Sequence, residues 1–249
     1  MTQAQTHSLW REITGLALPL IVGLLVATVL RIAVYQPFTI PSSSMAPGLL
    51  TGDYILVSKF AYGWSAASLP FGSPEGTERL MASTPERGDV VVFRLPRDPS
   101  QGWIKRVIGL PGDKVQMRDG QLLINGSKVP HTALGPAFDL DEPTRPVEAF
   151  EEQLGGGRAY ITYDGGPNLV GDNTAPIHVP AGHYLMMGDN RDNSLDGRWG
   201  PETGVGFLPA SHIVGRAERI AWSWKPGASL IKPWTWLNLR GDRLMKPIK

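Results

Sequence analysis

The chain has 249 residues, enough for one or two domains with a sizeable buried core. Its 24 lysines and arginines nearly balance 23 aspartates and glutamates, and a net charge of +1 excludes a strongly basic nucleic-acid-binding protein. The sequence contains no cysteine, which excludes disulfides, thiolate zinc sites and a cysteine nucleophile. A hydrophobic content of 42% indicates a folded chain.

The N-terminal region contains an apolar segment long enough to cross a bilayer. Residues 13–30 carry no charge, and a helix of that length extends about 27 Å, close to the hydrocarbon thickness. The segment is longer than the apolar part of a cleaved signal peptide, and Arg31 stands where small cleavage-site residues are expected. We therefore predict a short tail at 1–12 and one transmembrane helix at 13–34. Charge leaves its orientation open, because Arg11 and Arg31 balance across it.

From residue 35 onward the sequence is typical of β-structure. Short β-branched or alternating runs are separated by Gly-Asp, Pro-Gly and Asn-Gly turns. The runs lie at 54–57, 89–93, 114–117, 121–124 and 183–187. The sequence around Asp119-Gly120 predicts a hairpin. We expect a mainly β, antiparallel ectodomain, because no long helical period appears outside the apolar segment.

Composition also suggests how this β-region is divided. Residues 132–174 are polar, acidic and glycine-rich, which predicts an inserted, non-catalytic β or loop-heavy subdomain at 114–183. The two parts of the catalytic β core are then 35–113 and 184–249, with a hairpin extension around 62–83.

The C-terminal region has the opposite charge balance. Residues 216–249 are basic and include Trp222, Trp224, Trp234 and Trp236. Basic and tryptophan side chains together suit a surface that rests on anionic lipid headgroups. A solvated tail whose tryptophans pack in a core fits the composition equally well.

The first run with chemical potential is Ile-Pro-Ser-Ser-Ser-Met-Ala-Pro at 40–47, a few residues beyond the apolar segment. Prolines restrict the backbone on both sides of the three serines, so a hydroxyl could be held rigidly there. The same run also fits an ordinary Ser/Pro linker that leads away from a membrane.

The second run, 103–113, places Lys105 beside Arg106 in apolar surroundings. Neighbouring side chains of a strand point to opposite faces, so one of these cations must face inward. Burial lowers the pKa of a lysine from its usual value of about 10.4, and the neutral amine can then act as a general base. The alternative is an edge strand with two solvated cations.

The third run, 187–198, is rich in acids and contains glycines. From Asp192 it begins like a calcium-binding EF-hand loop, but Arg198 takes the seventh position and Thr203 the twelfth. We therefore expect no metal here, and interpret the run as a hydrogen-bonded turn cluster that supports a neighbouring site.

Two other kinds of site are poorly supported. The five histidines show no metal-ligand spacing, and the sequence contains no Gly-x-Ser-x-Gly elbow. A Ser-His-Asp hydrolase is therefore disfavoured, whereas a Ser–Lys dyad is available. We expect no cofactor, no metal and no nucleic-acid partner.

In this order, and behind an apolar N-terminal segment, the three runs resemble the bacterial type I signal peptidases (leader peptidases, peptidase family S26). These are membrane-bound Ser–Lys proteases that remove signal peptides from exported proteins. The resemblance covers 38–58, 88–113 and 184–217 and rests on Ser-Met-x-Pro, Ile-Lys-Arg-Val-Ile-Gly-Leu-Pro-Gly-Asp and Gly-Asp-Asn-Arg-Asp-Asn-Ser-x-Asp-x-Arg. It implies a signal-peptidase-like ectodomain on the periplasmic side of the bacterial inner membrane, with the lipid bilayer and signal-peptide-bearing preproteins as partners.

The resemblance also implies roles for individual residues. Ser44 would be the nucleophile, and a neutral Lys105 would be its general base. The Ser44 N–H and the Ser42 hydroxyl would form an oxyanion hole, and Ser194 would hydrogen-bond Lys105. Structural support would come from an ion pair and an acid near it: Asp196, Arg198 and Asp189.

Substrate choice follows from the same resemblance. The family cuts after small residues in an Ala-x-Ala pattern, because shallow apolar pockets reject larger side chains, and the substrate would bind extended as an added strand. The positions that match the pocket walls are Phe38, Ile40, Pro41, Met45, Trp103 and Ile104. We also expect the rate to rise along an acidic-to-neutral limb as Lys105 loses its proton.

Some positions depart from the family pattern, and other functions stay open. Gly197 stands where serine is common, and Ser43 and Gly48 stand where glycine and threonine are common. The last two departures bear on the backbone around Ser44. A self-cleaving repressor protease would need a DNA-binding domain, and a reticulum-type signal peptidase would use histidine where this chain has Lys105. Two further alternatives are a dedicated-substrate Ser–Lys processing peptidase and a membrane-anchored β-rich binding module without catalysis.

Overall fold

The computed structural model of the chain describes residues 15, 17–29, 34–69, 72, 74, 79–228 and 231–249. Residues 17–29 are helical, and their large apolar side chains are exposed. No helix of the described part is long and apolar enough to cross a membrane. The predicted span at 13–34 is therefore not found as a whole. Its residues 13, 14, 16 and 30–33, and the tail at 1–12, lie outside the described residues.

The rest of the described chain is mainly β-strand. In chain order the strands are β1 (Tyr35–Thr39), β2 (Asp53–Ser58), β3 (Val90–Leu95), β4 (Asp98–Gly109), β5 (Lys114–Arg118), β6 (Gln121–Ile124), β7 (Ser127–Lys128), β8 (His131–Phe138), β9 (Pro146–Leu154), β10 (Arg158–Asp164), β11 (Ile177–His178), β12 (His183–Met187), β13 (Phe207–Pro209), β14 (Ile213–Ser223) and β15 (Lys246–Pro247). Short 3-10 helices lie at Ser43–Met45, Phe60–Tyr62, Ala66–Ser68, Arg191–Asn193, Ala210–His212, Pro233–Thr235 and Gly241–Arg243.

These strands pair antiparallel in three sheets, which confirms the predicted mainly β class. The large sheet has the order β1-β2-β14-β3-β4-β12-β13, and β15 pairs with β14. The two small sheets have the orders β10-β9-β8 and β11-β5-β6-β7. The predicted hairpin is β5–β6, where Asp119 and Gly120 both take positive φ, 50° and 71°, as its two-residue turn requires.

The acidic segment holds more strand than its composition suggested. Three strands of eight, nine and seven residues, β8, β9 and β10, occupy much of 131–164. In β9, Val147, Ala149 and Leu154 are buried and Glu148 is exposed, whereas Glu152 is buried and pairs with Arg191. The acids of this strand therefore lie both at the surface and in the interior. These strands fit the β form of the predicted subdomain, and its division from the rest of the chain stays a prediction.

The small sheets share a hydrophobic core with the large one. Ile108, Leu185 and Met187 of the large sheet pack in one cluster with Val115 and Tyr160 of the small sheets. The segment 114–183 is thus packed against the large sheet without a separate core, and its assignment as an insertion stays a prediction. The hairpin extension predicted at 62–83 is described only in part, with a Trp64–Leu80 bridge and 70, 71, 73 and 75–78 outside the described residues.

Candidate active site

The 3-10 helix Ser43–Met45 presents Ser44 to a cleft. On either side, Ile40 and Met45 are 3% and 1% exposed and pack in the core beneath β1, β2, β3 and β14. This burial anchors the turn from below while Ser44 stays half-buried at the surface. Ile40 and Met45 were predicted as pocket walls; both are buried in this core and neither lines the described cleft, so their role in the pocket stays a prediction.

Strand β4 brings Lys105 to Ser44. The strand lies inside the large sheet, between β3 and β12, and Lys105 pairs with Val91 of β3. Lys105 is buried, and its Nζ lies 2.5 Å from Ser44 Oγ. Arg106 is also buried and binds Asp189. The alternative of an edge strand with two solvated cations is therefore wrong.

The surroundings of Lys105 favour its neutral form. Burial lowers the pKa of Lys105 from 10.5 to about 8, more than the carboxylates of Asp196 and Asp189 raise it, and the Arg198 cation lowers it further. A substantial fraction of the amine is therefore neutral in mildly alkaline solution. A titration centred at about 8 lies above the acidic-to-neutral limb that the sequence predicted.

The other two predicted serines lie near this pair in different ways. The hydroxyl of Ser42 is 3.4 Å from Ser44 Oγ. Ser194 is buried, and its Oγ has no hydrogen-bond partner among the described residues. The predicted Ser194–Lys105 hydrogen bond is thus absent here, since the amine is directed at Ser44. Ser194 contributes its carbonyl instead, which accepts a 2.9 Å bond from Trp199 Nε1.

Two buried ion pairs lie behind the cleft. Asp196 Oδ1 is 2.9 Å from Arg198 Nε, and Asp196 Oδ2 accepts a 3.0 Å bond from the Gly188 N–H. Burial raises the pKa of Asp196, but Arg198 and the hydrogen bonds outweigh this and lower it. Asp189 was expected beside this pair, yet it binds Arg106 in a bidentate contact of 2.7 and 2.6 Å.

The cleft has a volume of about 420 Å³. It is lined by Pro41, Ser42, Ser43, Ser44, Gly102, Trp103, Ile104, Lys105, Asp192, Asn193, Ser194, Leu195 and Trp199. Among the predicted pocket residues, Pro41, Trp103 and Ile104 line it, whereas Phe38 packs against the core cluster of Ile40. The cleft thus contains a hydroxyl, a buried amine and apolar walls, the groups that acyl transfer to a serine requires.

Two asparagines, Asn190 and Asn193, belong to this site but were not predicted from the sequence as site residues. The Asn190 N–H donates to the Ser44 carbonyl at 3.1 Å, and Asn190 Nδ2 donates to the Ser43 carbonyl at 3.2 Å. Asn193 Nδ2 donates to Ser43 Oγ at 2.8 Å. Both belong to the acidic run 187–198. The sequence indicated them only indirectly, through the prediction that this run supports a neighbouring site. Ser43, which departs from the family pattern, is thereby tied into the site.

A cluster of carboxylates lies at the edge of the same loop. One oxygen each from Asp164, Asp172 and Asp192 lies within 4.8 Å of the others, a spacing that could hold a cation. Burial raises the pKa of Asp164 and of Asp172. Each also accepts a backbone N–H, as turn-forming aspartates do. The absence of a metal stays a prediction.

The family model described as "Signal peptidase, peptidase S26" matches residues 13–222. A crystal structure of a signal peptidase I from Enterococcus faecalis is 29% identical, with a TM-score of 0.32, and covers 54% of this chain and 97% of that one. Proteins named Signal peptidase I from Rickettsia typhi and Rickettsia canadensis are 41% and 40% identical over 208 residues, 80% of this chain and 76% of theirs. By the family model and these two relatives, the chain belongs to the signal peptidase family, peptidase S26.

Proposed function

We propose that the chain cleaves signal peptides from preproteins with Ser44 as the nucleophile and Lys105 as the general base. The observation that carries this proposal is the 2.5 Å contact between Ser44 Oγ and Lys105 Nζ in the cleft. As a member of the signal peptidase family, the chain is a serine endopeptidase that removes signal peptides. The dyad assigns that reaction to particular atoms.

In this mechanism the neutral Lys105 amine takes the Ser44 proton while Oγ attacks the scissile carbonyl. The Ser44 N–H and the Ser42 hydroxyl stabilise the resulting oxyanion, a contribution of roughly 3 kcal/mol per donor in other hydrolases. The protonated lysine then gives its proton to the leaving amine. Water, activated by the same amine, finally hydrolyses the acyl-enzyme and releases the cleaved signal peptide.

Substrate selection is assigned to the walls of the cleft. An extended peptide lies along Pro41 and the β4 residues Gly102 to Ile104, where backbone and apolar side chains face the cleft together. Gly102 offers no side chain, and Trp103 and Ile104 restrict the remaining depth. Small side chains fit such shallow surfaces, so we propose cleavage after Ala-x-Ala sites.

We further propose that residues 13–30 anchor the chain in the bacterial inner membrane, with the catalytic part on the periplasmic side. The uncharged sequence and the exposed apolar side chains of 17–29 support this placement. At the C-terminal end Trp234 and Leu237 are 76% and 91% exposed, beside basic residues. Such a surface suits contact with anionic lipid headgroups. Both contacts would hold Ser44 near the bilayer surface, where a cleavage site emerges.

The test is cleavage of a preprotein with an Ala-x-Ala site by detergent-solubilised wild type, Ser44→Ala and Lys105→Ala. Products are identified by gel shift and N-terminal sequencing. Ser127→Ala and Lys128→Ala are matched controls, because they remove the same residue types from the exposed strand β7. We expect cleavage after the second alanine by wild type and both controls only.

Other outcomes separate the alternatives. Cleavage by Ser44→Ala would remove Ser44 as the nucleophile and direct attention to Ser42 and Ser43. Failure of the wild type to cut this preprotein, with cleavage of another one, would indicate a dedicated-substrate peptidase. A chain that binds preproteins and cuts none would be an anchored binding module.

A further inference from the structure

The small sheet β8–β10 and the residues next to its strand ends hold four consecutive residues of the loop behind Ser44. The contacts are Tyr163 N–H to the Asp189 carbonyl at 2.9 Å, Asn190 Nδ2 to Asp139 Oδ2 at 2.7 Å, Arg191 Nη1 to Glu152 Oε1 at 2.6 Å, and Gly165 N–H to Asp192 Oδ2 at 2.8 Å. Backbone and side-chain bonds thus fix the loop 189–192 along its whole length.

The same loop holds the turn that carries Ser44. Asn190 bonds the carbonyls of both Ser43 and Ser44, and Asn193 bonds the Ser43 hydroxyl. Asn190 is the point where the two sets of contacts meet. One hydrogen of its amide group goes to Ser43 and the other to Asp139, and both Asn190 and Asp139 are 1% exposed.

This geometry bears directly on the oxyanion hole. The Ser43 carbonyl and the Ser44 N–H belong to one planar peptide unit, so whatever fixes the oxygen also fixes the direction of the N–H. A donor in an oxyanion hole must point at the position where negative charge develops. Asn190 therefore sets the aim of the Ser44 N–H, and Asp139 holds Asn190 in the orientation that does so.

We propose that Asp139, from the acidic inserted segment, is a positioning residue for the oxyanion hole and acts through Asn190. This inference rests on the proposed function of Ser44. Both Asp139 oxygens are engaged, Oδ2 with Asn190 and Oδ1 with the Asp141 N–H at 3.0 Å. Without the carboxylate, a buried Asn190 N–H loses its acceptor and the amide is free to rotate away from Ser43.

The test compares steady-state kinetics of Asp139→Ala, Asp139→Asn, Asn190→Ala and the Asp139→Ala/Asn190→Ala double variant in the full-length protein. We expect Asp139→Ala to lower kcat about tenfold, the scale of a small misalignment, with KM and the pH midpoint unchanged. Asp139→Asn keeps an acceptor for Asn190 and restores most of kcat. The double variant has the kcat of Asn190→Ala, because the two residues act in series.

Two controls separate positioning from loss of stability. Asp113→Ala removes another buried carboxylate, whose partners Arg87, Leu110 and Asn125 lie away from the Ser44 turn, and Glu148→Ala removes an exposed acid from β9. Equal kcat in Asp139→Ala and Asp113→Ala, or additive effects in the double variant, would overturn the proposal.

If Asp139→Ala does not fold, Asp139→Leu replaces it in the cycle with Asn190→Ala, because leucine fills the space of the carboxylate and offers no acceptor to Asn190. A kcat loss in the double variant that is smaller than the product of the two single-variant losses supports the proposal. A loss equal to that product overturns it. Ser44→Ala, measured in the same assay, keeps the two hypotheses apart. If Ser44→Ala retains activity, the proposed function fails, whereas its inactivity with an unaffected Asp139→Ala removes only the positioning role.

Discussion

The two faces of strand β4 each bury a cation, but the two cations have different partners. Lys105 is 4% exposed and makes no salt bridge among the described residues. Arg106 is 3% exposed, binds Asp189 through two hydrogen bonds, and stacks over Tyr160 with its guanidinium carbon 4.0 Å from the ring centre. One cation faces a hydroxyl in a cleft, and its neighbour faces a carboxylate in the interior.

The partner of a buried cation, and not burial alone, decides what the cation does. Burial lowers the pKa of both groups, but Asp189 outweighs this at Arg106 and raises its pKa, whereas at Lys105 burial dominates. Lys105 can therefore become neutral and accept a proton, while Arg106 stays charged and holds the loop at Asp189 in place. Chemistry and structural support are divided between adjacent residues.

The largest expected effect comes from placing a permanent charge on the face of β4 that carries Lys105, here called its chemical face. Lys105→Arg keeps a long cationic side chain that cannot release its proton in proteins, so it cannot accept one from Ser44. We expect kcat/KM for an Ala-x-Ala preprotein to fall at least about a thousandfold, as for other essential catalytic residues. Lys128→Arg on β7 is the control and retains wild-type activity. Activity of Lys105→Arg within tenfold of wild type would exclude a lysine base.

The second effect concerns the opposite face of β4, which carries Arg106 and is here called its structural face. Arg106→Met leaves Asp189 buried without a counter-charge, which costs about 3–5 kcal/mol in comparable buried pairs. We expect that loss in the free energy of unfolding, measured by chemical denaturation. The double variant Arg106→Met/Asp189→Leu removes both charges and recovers much of the lost stability, because apolar side chains of similar volume can fill the same space without a desolvation cost. A double variant no more stable than the single one would show that the pair is not the source of the loss.

The sequence predicted the parts of this comparison that depend on local pattern. The alternation of side chains along a strand placed Lys105 and Arg106 on opposite faces, and β-branched runs with Gly-Asp turns marked β2, β3 and β5. The Asp196–Arg198 pair also lies within one short run. Each of these follows from residues close together in the chain.

Contacts between distant segments were beyond prediction from one sequence. Asp139 meets Asn190 across 51 residues, and Asp189 meets Arg106 across 83; no spacing rule joins such positions. The same reason applies to Met45. Its place in the turn is local, but the direction of its side chain depends on the core that the distant strand β14 supplies. Tertiary packing decided what local sequence left open.

A smaller effect, tested by changing pH alone, sharpens the description of Lys105. The base must be neutral, so activity is lost as pH falls through its pKa of about 8 and is regained as pH rises. We expect kcat/KM at pH 6 to be about a hundredfold below the alkaline plateau, since each unit below the pKa costs about a factor of ten. Rates that do not change between about pH 6 and 9 would contradict this assignment. Circular dichroism over the same range checks that the fold persists.

The smallest effect tests whether the ion pair behind the cleft influences the amine. The Asp196 carboxylate raises the pKa of Lys105, and Arg198 lowers it. Asp196→Asn removes the first influence and leaves the second, which lowers the pKa of Lys105, so the rising limb of the pH profile moves to lower pH. Asp119→Asn, in the exposed β5–β6 turn, leaves the limb in place.

The Asp196→Asn/Arg198→Met double variant then removes both influences on the amine. Its limb should lie between those of Asp196→Asn and wild type, because the two charges act on Lys105 in opposite directions. A limb that moves to higher pH in Asp196→Asn would mean that lost hydrogen bonds to the Gly188 loop, and not the carboxylate charge, control the amine. In that case the chemical face of β4 would depend on the position of the loop 188–194 as much as the structural face does.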